Sequence, residues 1–471
     1  MIAVFVFPML AAASSRVNLK GHIRLTRGAR FSGTNRSYGA PTLSNISAGT
    51  PAAAGARITW RTNTSSDSKV VYGITGAYGL TATDSVMVGA HQVTLVRLSP
   101  GTTYHYAVVS TDASSRASTS TDKVFTTSTT RIGAGIASAL YQQQNFTLPG
   151  HNDVDYLSDR GFSTIRLYVC WQRLQPTLNS ALDASYVAQI QAFLNYAASK
   201  NMTVVIDIHN SGRYSTNLAN CSGNAIGDPI DSAQVPISAF VDLWTRLATA
   251  LAGTPGLHAY GLMNEPHDMP SASSWPNAAQ AAINAIRAVD ATTTIYVAGD
   301  AWDAAQNWAT NNPTFPLSDT SNNLVYEAHV YFDDTGTTYS KTFNQQGATV
   351  NVGVNRVTSF VQWLQAHNAK GYVGEFGIPA DTSPQWDAQW LSVADRFIAY
   401  LKSNNVDMSV HSFDTYQTGD YIGPGGVWSW ANPYYYFLNV APVANVSNAF
   451  PLNATGTTPF LDLLTSYTRG Q

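Results

Sequence analysis

The sequence predicts a mixed α/β protein in which an all-β sandwich precedes a (β/α)8 barrel of the TIM type. Short alternating segments separated by turn residues occupy positions 41–128, as expected for a β-sandwich. From about 131 to 471, buried-type apolar runs alternate with amphipathic helical segments, as in an α/β barrel. A chain of 471 residues is also too long for one typical domain.

The first fifteen residues, MIAVFVFPMLAAASS, combine an apolar run with small residues, as in a secretory signal and its cleavage site. Basic residues follow this run and none precedes it, which is opposite to the usual charge bias. We interpret 1–15 as a signal peptide and expect a secreted protein, with an imperfect leader as the alternative. Residues 16–40 lack periodicity and are interpreted as a linker.

Composition and charge exclude several classes of partner. The 26 basic and 29 acidic residues give a formal charge of -3, whereas a nucleic-acid-binding protein needs a basic face. No sequence segment has the length of a membrane span. We therefore expect neither nucleic acid nor a membrane as partner, and we expect a monomer. Cys170 and Cys221 are the only cysteines, which excludes a disulfide-dense scaffold and leaves their pairing open.

Within 41–128, five segments have the alternation of strands: ARITWRT, SKVVYG, HQVTLVRL, TYHYAVVST and DKVFTT. Leu98, Pro100-Gly101 and Tyr104 together look like a tyrosine corner. This module resembles an immunoglobulin-like fibronectin type III domain, with Trp60 as a core residue. The resemblance implies a spacer, with sugar binding as the alternative. The polar segment TTSTT at 126–130 is interpreted as a hinge.

Eight apolar runs over 131–471 predict the barrel strands: IGAGIAS, STIRLYVCW, MTVVIDIHN, LHAYGLMNEP, TTIYVAGD, NLVYEAHVYFD, GYVGEFG and DMSVHSFD. Segments such as ASYVAQIQAFLNYAASK and VNRVTSFVQWLQAHN predict helices between them. A doubly wound sheet is the weaker alternative, because no Gly-rich phosphate loop follows the first strand.

Polar residues follow the ends of these strands, where the active site of such a barrel lies. In chain order they are Arg166, Trp171, Asp207, His209, Asn210, Asn264, Glu265, Asp300, Trp302, His329, Tyr331, Glu375, His411, Phe413 and Asp414.

Two glutamates on different strands suggest glycoside hydrolysis, in which one carboxyl protonates the leaving oxygen and the other attacks the anomeric carbon or activates water. The 110 positions that separate Glu265 and Glu375 in the sequence do not define their distance in space. Arg166 and Tyr331 are candidates for keeping Glu375 ionised. Asp207 and His209 share one strand face, but no third ligand has suitable spacing, so we expect no metal and no other cofactor.

The motifs LMNEP, VGEFG, VIDIHN and IRLYVCW resemble those of the retaining glycoside hydrolases of family 5, the cellulase family. The resemblance spans nearly all of 131–471. It implies that Glu265 is the general acid/base and Glu375 the nucleophile. It also implies that Asn264 contacts the sugar 2-hydroxyl. The residues that it places around the substrate are Arg166, His209, His329, Tyr331 and Trp302.

One departure concerns the tryptophan with which this family usually ends strand eight. Here that region reads MSVHSFDTYQTGDYIG, and the next tryptophans are Trp428 and Trp430. Either a loop tryptophan such as Trp428 takes its place, or Phe413 or Tyr416 does.

The predicted function is a retaining endo-β-1,4-glucanase that acts on a polysaccharide. The alternative is hydrolysis of another β-glycan: mannan, xyloglucan, xylan or a mixed-linkage glucan. A non-catalytic carbohydrate-binding protein is a remote alternative. A metallophosphatase is excluded because the chain lacks motifs such as Gly-Asn-His.

Overall fold

The computed structural model describes residues 39–136, 148–216, 227–334, 339, 341–379, 386–413 and 459–471, with the backbone alone at 412 and 413. The predicted signal peptide and all but the end of the predicted linker lie outside the described residues. The same holds for Cys221, Asp414, Tyr416, Trp428 and Trp430.

The first six strands are antiparallel and occupy the region predicted to be all-β. They are β1 (Leu43–Ser47), β2 (Gly55–Gly73), β3 (Leu80–Val96), β4 (Thr103–Thr111), β5 (Ala117–Thr119) and β6 (Lys123–Thr126).

The long strand β2 connects the two halves of this module. Its first half pairs with β1 and the end of β3, and its second half pairs with β4 and the beginning of β3. The first two predicted segments are therefore parts of one strand, because the polar residues between them continue the extended backbone. Trp60 is buried, as predicted, and its indole N–H donates to Ser110 at 2.9 Å. The Tyr104 hydroxyl accepts a bond from the Ser99 N–H at 3.0 Å.

Eight parallel strands then form a closed barrel in sequence order, and all eight predicted apolar runs contribute one strand each. The strands are β7 (Ile132–Ile136), β8 (Thr164–Val169), β9 (Thr203–Ile208), β12 (Leu257–Gly261), β13 (Thr294–Ala298), β14 (Leu324–Tyr331), β15 (Lys370–Gly377) and β16 (Asp407–Phe413). A separate two-stranded ladder consists of β10 (Arg213–Tyr214) and β11 (Asp228–Pro229). The predicted barrel architecture is confirmed.

Helices follow the barrel strands and pack their apolar faces on them. The helices are α1 (His151–Asp159), α2 (Trp171–Leu174), α3 (Ala184–Ser199), α4 (Ile237–Leu251), α5 (Ser274–Arg287), α6 (Trp308–Asn311), α7 (Val352–Ala366), α8 (Gln389–Ser403) and α9 (Pro459–Thr468), with a 3-10 turn at Ala305–Asn307.

The space between these helices and the barrel is filled by one large hydrophobic core. Trp171 lies in this core, fully buried beside Tyr214 and Phe240, and so it is a packing residue. The position of Trp171 directly after a strand suggested a place among the site residues. Instead, α2 begins at Trp171 and turns its ring into the core. None of the helices in the described part of the chain combines the length and hydropathy needed to cross a bilayer.

The module formed by β1–β6, called the β module below, contacts the barrel at the end where the barrel strands begin. Arg97 pairs with Asp159 at 2.6 Å, and Asn201 donates to the Arg97 carbonyl at 2.9 Å. Asp159 precedes β8 and Asn201 precedes β9, so both lie before strands begin. Thr50 and Gln471 exchange two backbone hydrogen bonds, which attach the end of the chain to the module. The module is therefore fixed at the end opposite to the carboxyl ends of the strands.

The connection predicted to be a hinge at 126–130 is tightly bonded. The Thr127 hydroxyl donates to the Ser99 carbonyl at 2.7 Å, and the Ser128 N–H donates to the Ala52 carbonyl at 3.2 Å. Thr127 and Thr130 are buried. The polar groups of this segment thus form hydrogen bonds to the module. Composition alone could not distinguish such a bonded connection from a hinge.

Replacing Gly55 with alanine is expected to loosen the contact between the module and the chain terminus. A Cβ at this position would lie 2.5 Å from the Thr468 carbonyl oxygen and 2.7 Å from the Arg469 Cα. Because both are backbone atoms, we expect Gly55→Ala to lower the free energy of unfolding by about 1–3 kcal/mol in urea titrations. Gly89→Ala is the control, since its Cβ would meet only the Thr62 carbonyl at 3.6 Å. Equal stability of the two variants would contradict a close contact between Gly55 and the backbone of Thr468 and Arg469.

Candidate active site

The carboxyl ends of the barrel strands bring most of the predicted site residues together. Arg166 lies on β8, Tyr331 and His329 on β14, and Glu375 on β15. In β14 and β15, His329 and Glu375 are paired in register. The chain contains three glutamates, at 265, 327 and 375. All three lie in this cluster and within reach of His329.

Arg166 is the cation at the centre of the cluster, and its side chain is 0% exposed. It donates to Glu375 Oε1 at 2.8 Å and to Asn264 Oδ1 at 2.8 Å. It also lies 3.0 Å from Glu327 Oε1 and 3.2 Å from Asp207 Oδ1. Burial opposes its charge, but the carboxylates of Asp207 and Glu327 outweigh burial and hold the pKa of Arg166 above its usual value. The site therefore has a permanent buried positive charge.

Glu375 is buried and surrounded by groups that stabilise its ionised form. The Tyr331 hydroxyl donates to Oε2 at 2.6 Å. His411 Nδ1 lies 3.4 Å and His329 Nδ1 lies 3.7 Å from the same oxygen. Burial would raise the pKa of Glu375, but His411, His329 and Arg166 outweigh burial and hold it well below the usual range. Glu375 is therefore a carboxylate over the whole neutral range.

Glu265 follows β12 and reaches the mouth of the barrel, with 22% of its side chain exposed. Its backbone has φ +42°, so the chain turns sharply at this residue. Its Oε1 lies 2.7 Å from His329 Nδ1. Single oxygens of Glu265 and Glu375 and one His329 nitrogen all lie within 4.8 Å of one another. The two carboxyl groups thus face the same small volume from different strands.

His329 connects the three glutamates. Its Nδ1 faces Glu265 and Glu375, while its Nε2 lies 3.3 Å from Glu327 Oε1. Burial lowers the pKa of His329, but Glu375, Glu265 and Glu327 outweigh burial and raise it well above the usual value. A proton on His329 therefore offsets part of the negative charge of the cluster.

A second layer lies on the side of β8 and β9. His209 Nδ1 lies 2.8 Å from Asp207 Oδ2, and its ring stacks on Tyr168 at 4.2 Å. The Tyr168 hydroxyl lies 2.8 Å from His411 Nδ1. Asp207 thus contacts Arg166 with one carboxylate oxygen and His209 with the other. This layer orients the histidine and arginine side chains around Glu375.

Two sets of described residues have the spacing of metal ligands: Glu265, His329 and Glu375, and Asp303, Glu327 and His329. Both sets contain His329, whose two nitrogens already face carboxylates. Arg166 also supplies a positive charge to Glu327 and Glu375. The negative charge of both sets is therefore compensated by protein groups.

Trp302 lies beside the residues that follow Glu265, and its N–H donates to the Pro266 carbonyl at 3.1 Å. Its ring is 49% exposed and stacks on His267, with the centroids 4.2 Å apart. It borders a cavity of about 300 Å³ that Asp268 and Asp300 also line. Trp428 lies outside the described residues, as do Tyr416 and the side chain of Phe413.

Sequence reasoning did not single out Tyr168, Glu327 and Asp303. Tyr168 lies two residues after Arg166 and Glu327 lies two before His329, so strand alternation placed both on the faces that carry the site. Asp303 had no such signal, because it follows Trp302 in a loop of irregular backbone.

The closed barrel, together with two carboxyl groups that face each other from different strands at its mouth, defines a barrel-type glycoside hydrolase. The family model for cellulase, glycosyl hydrolase family 5, matches residues 120–417. The chain therefore belongs to glycosyl hydrolase family 5.

Named relatives support this membership. The chain is 32% identical over 268 residues to the manganese dependent endoglucanase Eg5A of Phanerodontia chrysosporium, a match that covers 54% of this chain and 62% of that protein. It is 31% identical over 297 residues to Endoglucanase 3 of Humicola insolens, covering 62% and 67% respectively. The solved structure of Pseudomonas stutzeri endoglucanase Cel5A in complex with cellobiose is similar with a TM-score of 0.58 and 29% identity. That similarity covers 72% of this chain and 92% of the other.

Replacing Arg166 with methionine is expected to destabilise the fold in a pH-dependent way. Removing one partner of a buried ion pair costs about 3–5 kcal/mol, because the remaining carboxylates stay buried without a cation. In the native protein the depressed pKa of Glu375 stabilises the fold above the unfolded pKa, and this stabilisation is lost as the pH falls. Without Arg166 the pKa of Glu375 rises and its protonation relieves the unpaired charge at low pH. The stability gap to wild type should therefore be largest near pH 7 and smaller near pH 4.5.

Urea titrations at both pH values measure this gap. Arg246→Met is the control, because Arg246 pairs with Asp242 near the surface, where an ion pair contributes little to stability. A gap for Arg166→Met that stayed constant between the two pH values would show that Arg166 contributes packing and not charge.

Proposed function

We propose that this protein is a retaining endo-β-1,4-glucanase. The observation that carries the proposal is the separation of the two carboxyl groups, whose nearest oxygens lie within 4.8 Å. Retaining enzymes place their carboxyl groups about 5–5.5 Å apart, whereas inverting enzymes need about 6.5–9.5 Å to admit a water molecule. The short separation supports direct attack by one carboxylate on the sugar.

In this mechanism Glu375 is the nucleophile, because Arg166 and Tyr331 bond its two oxygens and its pKa is held low. One of its oxygens forms a bond to the anomeric carbon while the bond from that carbon to the glycosidic oxygen breaks. Glu265 gives its proton to the departing oxygen, for which its position at the mouth is suited. In the second step Glu265 takes a proton from water, the water oxygen bonds to the anomeric carbon, and Glu375 leaves as a carboxylate. Two displacements retain the configuration.

The neighbouring residues have roles that their bonds support. Asn264 uses its carbonyl oxygen to accept from Arg166, so its amide nitrogen is the group that can donate to the sugar 2-hydroxyl. His209 uses Nδ1 toward Asp207, which leaves Nε2 as the ring nitrogen that can bond a sugar hydroxyl. Tyr331 holds the nucleophile through its hydroxyl. Trp302 offers an exposed ring face on which a sugar unit can stack.

The substrate assignment rests on the relatives, several of which are named as endoglucanases. Another β-glycan is the alternative, because the strand-eight region MSVHSFDTYQTGDYIG contains no tryptophan. Assays on soluble cellulose, mannan, xyloglucan, xylan and mixed-linkage glucan distinguish the two. Faster release of reducing ends from mannan than from any glucan would overturn the glucanase assignment.

We also propose that residues 41–128 are a fibronectin type III-like module that acts as a structural support of the barrel. The bond from the Ser99 N–H to the Tyr104 hydroxyl supports a tyrosine corner. Contacts of Arg97 and Thr50 with the barrel region support a fixed position away from the mouth, which disfavours a sugar-binding role at the cleft.

We further propose a secreted monomer, in which residues 1–15 serve as the signal. Cys170 is disulfide-bonded, and disulfides persist in oxidising compartments outside the cytosol. The chain has a single other cysteine, Cys221.

Replacing either glutamate with glutamine tests the two roles separately. Glu375→Gln should lose activity by a factor on the order of 10⁵ or more on every substrate, because no covalent bond to the sugar can form. Glu265→Gln should lose activity on cellotetraose by about 10²–10⁴-fold, the usual contribution of acid–base catalysis. With 2,4-dinitrophenyl cellobioside as substrate, the first step of the Glu265→Gln variant should remain fast, since this leaving group needs no proton. The glycosyl-enzyme should therefore accumulate. Burst kinetics and mass spectrometry of the trapped protein measure this.

The anomeric configuration of the first product is a second readout. Proton NMR of the wild-type reaction should show the β anomer before mutarotation. An initial α anomer would exclude the retaining mechanism, and near wild-type turnover by either variant would exclude the assigned roles.

A further inference from the structure

The loop that follows β13 contains three consecutive residues in the left-handed region. Their φ values are 57° at Ala301, 59° at Trp302 and 55° at Asp303. Residues other than glycine rarely adopt this conformation, and consecutive examples need surrounding structure to hold them. Something in this loop must therefore compensate for the strain.

The Asp303 carboxyl group holds this turn closed. Its Oδ1 accepts from the Gly299 N–H at 2.5 Å and from the Trp308 indole N–H at 3.0 Å. The side chain is fully buried. One oxygen of Asp303 thus joins the beginning of the turn to the helix that follows it.

Asp303 also contacts His329 from two directions. Its carbonyl oxygen accepts from the His329 backbone N–H at 2.8 Å. Its Oδ2 lies 4.0 Å from His329 Nε2 and has no hydrogen-bond partner among the described residues. The other ring nitrogen of His329 lies 2.7 Å from Glu265. Asp303 is therefore separated from Glu265 by one imidazole ring.

The same turn reaches Glu265 through the backbone. The Trp302 N–H donates to the Pro266 carbonyl at 3.1 Å, and the Trp302 ring stacks on His267. Glu265 itself has a left-handed φ, so its own conformation depends on how the residues after it are held. The turn thus constrains both the side-chain partner of Glu265 and the chain that carries it.

We propose that Asp303 is a positioning residue for Glu265. It closes the left-handed turn that fixes His329 on one side of the Glu265 carboxyl and Pro266–His267 on the other. Among the described residues, the titratable groups that face His329 are Glu265, Glu375, Glu327 and Asp303, and Arg166 pairs with two of them. This inference rests on the acid/base role proposed above for Glu265.

The test compares substrates that differ in their need for a proton. In Asp303→Ala, a misplaced Glu265 should lower kcat/KM for cellotetraose on the order of 10–100-fold. For 2,4-dinitrophenyl cellobioside the first step needs no acid, so kcat/KM should fall by less than about threefold. Asp303→Asn should restore most of the cellotetraose activity, because its amide oxygen can accept the same two hydrogen bonds.

Asp319→Asn is the matched control. The side chain of Asp319 is likewise only 2% exposed and pairs with Arg287 at 2.6 Å, but Asp319 precedes β14 and so lies at the opposite end of the barrel. Below its melting temperature this variant should keep wild-type kinetics on both substrates.

An equal loss on both substrates in Asp303→Ala would overturn the inference, because it would show a general structural defect. Unchanged kinetics of Asp303→Ala on cellotetraose would also overturn it. If Glu265→Gln instead showed no dependence on the leaving group, the proposed role of Glu265 would fail first. The two failures are therefore distinguishable.

Discussion

The buried guanidinium of Arg166 is the interaction on which the rest of the site depends. A charge that is fully removed from water is tolerated only when partners compensate it, and here Glu375, Glu327 and Asp207 do so from three different strands. The compensation works in both directions, because the carboxylates could not be buried together without the cation. The closed barrel supplies the rigid frame in which these charges can be held at hydrogen-bond distance.

The parts of the structure that were predictable from the sequence are those with local signals. Apolar runs predicted all eight barrel strands, and Glu265 and Glu375 were conspicuous because they follow such runs. The closeness of Glu265 to Glu375 was not predictable, since it depends on barrel closure and on the sharp turn at Glu265. The left-handed backbone at Ala301, Trp302 and Asp303 was also not predictable, because glycine is the usual sequence signal of this conformation and none of the three is glycine.

The β module and the charged cluster are located at opposite ends of the barrel. The β module and the end of the chain are bonded to each other and to the residues that precede β8 and β9, where the strands begin. The charged cluster and its strained turns lie where the strands end. This separation allows Glu265 to keep a left-handed backbone and Arg166 to remain buried, because packing elsewhere over-determines the fold.

The short distance between the glutamates also lets one carboxyl act in both steps of the proposed mechanism. Single oxygens of Glu265 and Glu375 lie within 4.8 Å of each other, so both groups can reach the same glycosidic bond. When Glu375 becomes an ester of the sugar, its own negative charge is neutralised, and Glu265 takes a proton from the attacking water. His329 lies within 4 Å of both groups, so its positive charge moderates the change at each step. The carboxyl of Glu265 can therefore serve first as the acid and then as the base without a further titratable residue.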